Sequence, residues 1–464
     1  MVKPLEVCIL AAGKGTRMKS SQSKVLQTLA GKPLLGHILD TAELLQPKRI
    51  HVVVGPEGTE LQDAFADRDH INWVVQSDRL GTGHAVMQAA PFFSGDGPVL
   101  ILLGDAPLIR TATLSEMLIT EADLLVLTVK LDDPTGYGRI QRNKKGQVNA
   151  IVEEKDADAA TREIQEINSG VMLCGAGLIE PWLGQLDNKN QQQEYLLTDI
   201  IKIAATQDYK VETLMANDEA EVTGVNDFVQ LAKLERSFQQ SQAETFMADG
   251  VHIIDPARFD VRGEVSFGRD VRVDINVLFE GNVVIGDAVQ IGPNCIIKDS
   301  RIGNGTVIKA NSVIDGAVVS QNCSVGPFAR LRPGSYMQNA AAVGNFVEMK
   351  KSTLGPGSKA SHLSYLGDSQ IGENVNIGAG TITCNYDGVN KWQTKIGDGV
   401  FVGSNTALVA PVSLAKGVTI AAGSTITTDV PADHLAVGRG RQRNIPDWQR
   451  PEKESETNPD KKSG

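Results

Sequence analysis

Between Val265 and Ile426 the chain repeats on a period of six residues, and this limits its fold more than any other feature. Aliphatic or similarly sized side chains recur at Phe267, Val273, Phe279, Ile285, Ile291 and Ile297, and again at Ile396, Val402, Leu408, Leu414, Ile420 and Ile426. A helix brings a face back about every 3.6 residues and a strand every two, so a spacing of six requires short flat segments separated by corners. A second row, Val265, Val271, Val277, Val283, Val289 and Cys295, runs two residues ahead of the first. Each segment therefore turns two side chains inward, enough for one side of a triangular coil. Glycines follow many inward positions (Gly286, Gly292, Gly303, Gly372, Gly378, Gly397, Gly403), where the chain must bend or run close to its neighbour. Hexad arrays of this kind are a signature of parallel β-helices. The spacing sets the period and leaves the hand open.

The array occupies less than half of 464 residues, so two or three domains are expected. Residues 1–228 alternate short apolar runs with amphipathic stretches. Strands are predicted at Val7 to Leu10, Ile50 to Val54, Trp73 to Gln76, Val99 to Leu103 and Leu124 to Val129, the α/β pattern of a mostly parallel, Rossmann-like sheet. From Asn226 to Asp249 there is neither Gly nor Pro, and Leu231, Leu234 and Phe238 recur at helical spacing, which predicts a connecting helix over 229–249. The solenoid is placed at 250–445 and a disordered polar tail at 446–464. A net charge of −11 argues against a nucleic-acid partner. No apolar run approaches a membrane span, and Val7 to Ala12 is too short for a signal-peptide core. The five cysteines lie far apart with no C-x-x-C pair, which suits reduced thiols in a cytoplasm.

After the first strand comes Leu10-Ala11-Ala12-Gly13-Lys14-Gly15-Thr16-Arg17-Met18, with Lys24 a few residues on. Small residues let backbone N–H groups approach phosphates, and Arg17 and Lys24 would neutralise them. The dinucleotide fingerprint fails because Met18 stands where a third Gly is needed, and the P-loop fails at Gly13-Lys14-Gly15. Gly104-Asp105 closes the strand Val99 to Leu103, which places Asp105 at the carboxyl edge of the sheet, where such folds bind ligands. By itself Asp105 would equally begin an Asp105-Ala106-Pro107 turn, Asn226 would serve as a helix N-cap, and Glu153 would pass for a solvated charge.

The L-x-A-A-G-x-G-T-R-M loop with its downstream lysine resembles the sugar-nucleotide pyrophosphorylases. The resemblance implies phosphate contacts from Leu10, Ala11, Ala12, Gly13 and Lys24, catalytic roles for Arg17 and Lys24, and nucleotide contacts from Leu103 and Gly104. It further implies base reading by Gln76, Gly81 and Thr82, sugar binding by Gly138, Glu153 and Asn168, and Mg²⁺ held by Asp105 and Asn226. Thr82 is also a candidate cap for the helix after it.

Within the solenoid the phase slips, since Ile377 and Ile396 are nineteen residues apart where three hexads need eighteen. Slips mark loops, and loops on a rigid scaffold carry function. Extending the hexads back from Ile371 puts Tyr365 in an inward slot and leaves His362 at an outward or corner position. Arg332, Lys350 and Lys391 would hold an anionic phosphate while His362 takes a proton from an amine attacking a thioester. With these residues, positions 1 to about 445 resemble the bacterial bifunctional N-acetylglucosamine-1-phosphate uridylyltransferases/glucosamine-1-phosphate acetyltransferases, whose hexad array is a left-handed β-helix. The resemblance implies His362 as base, amino-sugar phosphate binding by Arg332, Lys350, Tyr365, Asn376 and Lys391, and acetyl-CoA contacts from Ala379, Asn385, Tyr386, Ser404, Ala422 and Arg439. It also implies UTP as co-substrate, a cytoplasmic homotrimer, and a place in peptidoglycan and lipopolysaccharide precursor synthesis. The chain departs from the family at Ser23, where a Pro is common, at Leu103, usually Tyr, and at Ser361, usually Gly. Competing readings are a single-activity pyrophosphorylase whose β-helix serves assembly or regulation, and a nucleotide sensor on a scaffold.

Overall fold

A computed structural model describes residues 4–95 and 97–451, grouped into two compact units, 1–299 and 300–464. The first unit opens with a nine-stranded mixed sheet. Its main path runs Val211–Met215, Leu124–Lys130, Glu166–Gly175, Pro98–Leu103, Glu6–Leu10, Arg49–Val54, Ile71–Val75, with Arg139–Arg142 and Val148–Val152 attached to Glu166–Gly175. Glu166–Gly175 is antiparallel to both of its path neighbours, and the other path pairs are parallel. The central strands read as unbroken apolar runs because both faces are covered. Val7 and Ile9 enter the core on one face and Cys8 the core on the other; Leu100 and Leu102 alternate with Val99 and Ile101 in the same way. The parallel strands deliver Leu10, Leu103 and Val75 to one carboxyl edge, where the Gly-rich loop, Gly104-Asp105 and Gln76 begin. The strand expected at Trp73 to Gln76 ends one residue early, at Val75, although the Gln76 N–H still bonds the Val54 carbonyl at 2.8 Å.

The helix Phe228–Ala248 follows, and its N-cap is Asp227, whose Oδ1 accepts from Gln230 N at 2.8 Å. Asn226 is therefore free of the capping role its position suggested. Along the helix, the buried Gln239 pairs with both backbone groups of Val261, and Phe246 packs edge-on to Phe259 and Phe267. Two nine-residue strands, Phe259–Phe267 and Val277–Ile285, then pair in parallel along their whole length and begin the coil pattern. Val271, Val273, Val277, Phe279, Val283, Ile285, Val289, Ile291, Cys295 and Ile297 are buried as the hexads require, while Val265 and Phe267, on the outermost coil, are half-buried.

In the second unit the walls shrink to strands of two to four residues, giving a left-handed parallel β-helix of hexapeptide repeats. Inward aliphatics such as Leu331, Met337, Val343, Met349 and Leu354 stack coil on coil. The companion inward row changes character, for between small or valine side chains such as Ala329, Val347 and Val375 it carries buried Ser335, Ser352, Ser358, Ser364, Thr406 and Ser424, which donate their hydroxyls to backbone carbonyls at 2.6–2.9 Å. Most coils advance by 17 or 18 residues, as Tyr336↔Thr353 and Phe401↔Thr419 show, and the last by 16, Thr419↔Leu435. The coil from Asn376 to Phe401 takes 25, because the chain leaves the wall in a hairpin closed by a Tyr386↔Lys391 bridge. That excursion is the physical content of the phase slip. The expected inward slot at Tyr365 is corrected: Leu366 and Ile371 point inward only five residues apart, so Leu366 fills the slot and Tyr365 is half-buried. Among the described residues no helix is long and apolar enough to cross a membrane. None of the five cysteines forms a disulfide among the described residues. Most of the tail expected to be disordered, 452–464, lies outside the described residues.

Candidate functional site

The Gly-rich loop turns off the end of Glu6–Leu10, and a cavity of about 550 Å³ opens beside it, lined by Leu10 to Lys14, Lys24, Gln76, Gly81, Thr82, Leu103 and Asp105. Among the described residues, the backbone N–H groups of Ala12, Gly13, Lys14 and Gly15 make no hydrogen bond within the chain. Four consecutive unspent donors at a strand–loop junction form a concave seat for an anion. A Cβ on Gly13 would meet no heavy atom within 4 Å, whereas Gly15 has φ +59° and lies against the Lys24 side chain. Arg79 donates its Nε to the Ala12 carbonyl at 2.6 Å and pairs with Glu57, so it pins the loop from behind. Arg17 is exposed and makes no hydrogen bond or ion pair among the described residues.

Lys24 is buried, and its ammonium is shared between an Asp105 carboxylate oxygen and, at 3.3 Å, Asn226 Oδ1. The two oxygens thus converge on one positive charge although they are far apart in sequence. Among the described residues no group of three His, Cys, Asp or Glu side chains gathers as a metal cage. A two-oxygen seat beside an anion loop suits Mg²⁺, which keeps several waters and takes one or two protein ligands plus substrate phosphates. Gly104 brings this corner together: its N–H bonds the Leu10 carbonyl at 2.9 Å, and a Cβ there would sit 3.0 Å from that oxygen.

The buried Gln76 donates through Nε2 to the Gly81 carbonyl at 3.1 Å. A carbonyl only accepts, so the amide nitrogen faces the loop and Oε1 remains for a ligand. Thr82 does not cap the helix Thr82–Ala89; the N-cap is Gly81, and Thr82 Oγ1 instead accepts from Leu197 N at 3.1 Å. Deeper in the unit, Gly138, Glu153 and Asn168 adjoin one another. The Asn168 N–H bonds the Gly138 carbonyl at 2.9 Å, and a Cβ on Gly138 would lie 3.4 Å from the Glu153 carboxylate. Burial, reinforced by Asp199 and Asp156, pushes the Glu153 carboxyl up while Thr198 donates to it at 2.9 Å, so it is no solvated surface charge.

On the solenoid, Arg332, Lys350 and Gly367 fall at one height of successive coils, since Leu331↔Met349 and Lys350↔Gly367 are paired. Contact with Lys391, then its charge and that of Arg332, holds the Lys350 ammonium below its ordinary range. Glu348 answers Arg332 at 2.8 Å, and Asp368 accepts from Asn385. A Cβ on Gly367 would collide with Tyr365 Oη and come within 2.8 Å of Asn385 Nδ2, so glycine there keeps room for both. Lys391 reaches the cluster on the hairpin, which Asp387 pins by accepting from Trp392 Nε1 at 2.7 Å and from the N–H groups of Asn390 and Val389. These bonds hold its carboxyl at about 2. Ala379, Ser404, Ala422 and Arg439 climb a different corner one coil at a time: Asn405 N bonds the Ala379 carbonyl at 2.7 Å, Gly423 N the Ser404 carbonyl at 2.8 Å, and the Arg439 guanidinium the Ala422 carbonyl. Tyr386 lies exposed on the hairpin, and Asn376 pairs with Lys359 and Phe401 in the wall. His362 is exposed, with Nδ1 2.7 Å from Asn345 Oδ1. Among the described residues no hydrogen bond or ion pair joins it to Arg332, Lys350 or Lys391.

Comparison with known proteins fits both halves. Residues 7–139 match the MobA-like NTP transferase domain, 261–339 the GMPPB C-terminal domain, and 393–428 the six-repeat bacterial transferase hexapeptide. The chain is 56% identical over 451 residues to the bifunctional protein GlmU of Stutzerimonas stutzeri, covering 97% of this chain and 99% of that one. It is 54% identical to those of Marinobacter nauticus and Idiomarina loihiensis, covering 97% and 98% of this chain and 100% of each relative. The chain belongs to the GlmU family. A GlmU-family chain with an NTP-transferase half and a hexapeptide half is a bifunctional transferase, nucleotidyl- and acetyltransferase. Of its departures from the family pattern, Leu103 lines the cavity beside the Gly-rich loop and packs on Gly170, where a Cβ would lie 2.5 Å from Leu103 Cδ1. Ser23 precedes the short helix Lys24–Leu26, and the Ser361 carbonyl lies hard against Gly344. Arg79 and Asn345 escaped the reading of the sequence. Arg79 stands between Gln76 and Gly81-Thr82, which is the signal that would have found it; for Asn345 the signal is the coil period, since it stands 17 residues before His362.

Proposed function

We propose that this chain acetylates glucosamine-1-phosphate with acetyl-CoA on its solenoid and then transfers UMP from UTP to the N-acetylglucosamine-1-phosphate formed, giving UDP-N-acetylglucosamine and pyrophosphate. The observation that carries the proposal is the convergence of two separate constellations. In one, unspent loop N–H donors adjoin the Lys24–Asp105–Asn226 cluster. In the other, three cations press together against two carboxylates, Glu348 paired with Arg332 and Asp368 bonded to Asn385, and an anion such as a sugar phosphate would complete the charge balance. The domains divide as 1–228 for uridylyl transfer, 229–249 as linker and 250–445 for acetyl transfer.

In the first reaction the loop N–H groups and Lys24 hold the triphosphate, and Gln76 Oε1 accepts from the uracil N3–H. Gly138, Glu153 and Asn168 hold the sugar so that its phosphate oxygen faces the α-phosphorus, and Arg17 closes on the phosphates from the exposed end of the loop. Mg²⁺, held by Asp105 and Asn226, would neutralise charge gathering on the departing pyrophosphate. In the second, Arg332, Lys350 and Lys391 bind the sugar phosphate, with Tyr365 and Asn376 flanking it. Ala379, Asn385, Tyr386, Ser404, Ala422 and Arg439 line the acetyl-CoA track. His362 takes the proton of the attacking amine as the thioester carbon–sulfur bond breaks. Among the described residues no hydrogen bond or ion pair joins His362 to the basic cluster, and the flat solenoid walls can pack on one another, so a homotrimer that brings residues of more than one copy to the acetyl site is part of the proposal. The net charge of −11 and the free thiols support a cytoplasmic enzyme with small-molecule partners and no nucleic acid.

The test is product formation from glucosamine-1-phosphate, acetyl-CoA, UTP and Mg²⁺ with one component omitted at a time, repeated on two variants. Asp105→Ala should reduce uridylyl transfer by about 10²-fold or more, the several kcal/mol a metal ligand supplies, and leave acetyl transfer intact. His362→Ala should reduce acetyl transfer by about 10²–10⁴-fold and leave uridylyl transfer intact. A folded variant that loses both activities would sink the two-site assignment.

A further inference from the structure

One wall of the solenoid is built from two-residue strands at Val307–Ile308, Ser324–Val325, Asn376–Ile377, Phe401–Val402 and Thr419–Ile420, but from four-residue strands at Ala342–Asn345 and Lys359–His362. The two long strands are neighbours, and their extra residues put Asn345 directly opposite His362 in the parallel register. Gly344 permits it, since a Cβ there would collide with the Ser361 carbonyl. The paired ends are rigid: Leu363 N bonds the Asn345 carbonyl at 3.0 Å, and Ser364 Oγ donates to the His362 carbonyl at 2.8 Å. On this frame Asn345 Oδ1 lies 2.7 Å from His362 Nδ1.

We infer that Asn345 is a positioning residue for acetyl transfer: its side-chain oxygen locks the His362 ring with the proton on Nδ1, leaving the Nε2 lone pair turned outward as the base. The inference rests on the proposed role of His362. An amide oxygen can only accept, so Nδ1 must donate, and the tautomer and ring rotation are fixed together. Being neutral, the amide orients the imidazole without the extra stabilisation a carboxylate would give to the imidazolium, so the ring releases its proton readily after each turnover. Among the described residues no ionisable side chain bonds the His362 ring. Ala342–Asn345 and Asn376–Ile377, on either side, carry no titratable side chain; Lys359 stands at the far end of the same strand; and Glu348, on the next wall, is engaged by Arg332.

The test uses the full-length chain with glucosamine-1-phosphate and acetyl-CoA. Asn345→Leu should lower kcat by about 10–10²-fold, the usual size of an orienting partner's effect, while KM for both substrates and uridylyl transfer by the same preparation hold. Asn345→Asp should recover most of kcat but move the acid limb of the kcat/KM profile upward by about one pH unit, because a carboxylate favours the imidazolium. A residue that only braced the wall would not produce that shift. Nitrogen NMR of histidine-labelled wild-type protein should find the His362 proton on Nδ1. Full activity in Asn345→Leu, an unmoved profile in Asn345→Asp, or a proton on Nε2 overturns the inference. His362→Ala separates the two levels: if it still acetylates, the base assignment itself falls, and if it is inactive while Asn345→Leu is unimpaired, only the positioning role does.

Discussion

Gly13 and Gly15 are glycines for opposite reasons, and the difference is measurable. Gly15 is required by the chain itself, with φ +59° and a Cβ position 2.6 Å from Lys24 Cβ. Gly15→Ala should therefore cost about 1–2 kcal/mol of stability, the usual penalty for a side chain in the left-handed region, and should also displace Lys24. Gly13 has neither constraint, since an added methyl group would meet nothing within 4 Å. The space beside it is kept for something outside the chain. Gly13→Ala should leave the thermal midpoint unchanged and raise KM for UTP about tenfold or more, the effect of about 1.4 kcal/mol lost where the backbone must approach a phosphate closely. Calorimetry and uridylyl-transfer kinetics on both variants decide the matter, and an unaltered KM in Gly13→Ala would mean that the loop does not seat the triphosphate.

At the level of elements, the helix Phe228–Ala248 joins sheet to coil through several contacts, and one buried side chain among them completes a strand edge. Gln239 is fully buried, donates to the Val261 carbonyl at 2.8 Å and accepts from the Val261 N–H at 2.8 Å, completing the open side of a coil strand as another strand would. One turn earlier, Glu235 accepts from Ala30 N at 2.7 Å. Gln239→Leu preserves volume but leaves two buried backbone groups unpaired, so urea unfolding should report a loss of about 2–4 kcal/mol; a loss below about 0.5 kcal/mol would show that water replaces the amide. The helix was legible from the absence of Gly and Pro and the spacing of Leu231, Leu234 and Phe238, but the contact that fixes it was not, because Gln239 and Val261 are joined only by the fold. The same limit applies elsewhere. The apolar rows of the early hexads were readable because Val, Ile and Phe fill both inward positions. After about residue 300 serine and threonine, hydrogen-bonded to corner carbonyls, share one of them with residues such as Ala329, Val375, Val400 and Val418, so the second apolar row is interrupted while the first runs on to Ile426. Counting back six from Ile371 puts Tyr365 inward, whereas the step from Leu366 to Ile371 takes five residues, a local shortening the period does not announce. The loop motif and Asp105 were legible because their spacing is local; the contact of Arg79 to Ala12 spans 67 residues, which spacing does not encode, whereas Asn345 stands 17 residues before His362, one coil of the repeat.

At the scale of the whole molecule, the assignment of the two chemistries to separate halves is tested by cutting the chain after Arg236. Every residue assigned to uridylyl transfer, from Leu10 to Asn226, lies before the cut. The fragment keeps the Ala30–Glu235 bond and the cluster in which Leu234 packs with Met18, Leu29, Leu34 and Val225. It gives up Gln239 and Phe238, whose ring meets His37 edge-on at 5.6 Å. A chain of this length supports its own core, and the two faces of the sheet are already filled by residues before the cut. The fragment should therefore be soluble and monomeric, should make UDP-N-acetylglucosamine with kcat/KM within about tenfold of the full chain, less than about 1.4 kcal/mol at the transition state, and should acetylate nothing. Light scattering and the two product assays read all three outcomes. An insoluble fragment would move the boundary of the first half past the helix. A soluble but inactive one would show that residues beyond Arg236 complete the nucleotide site, and the proposed division of labour would have to be redrawn.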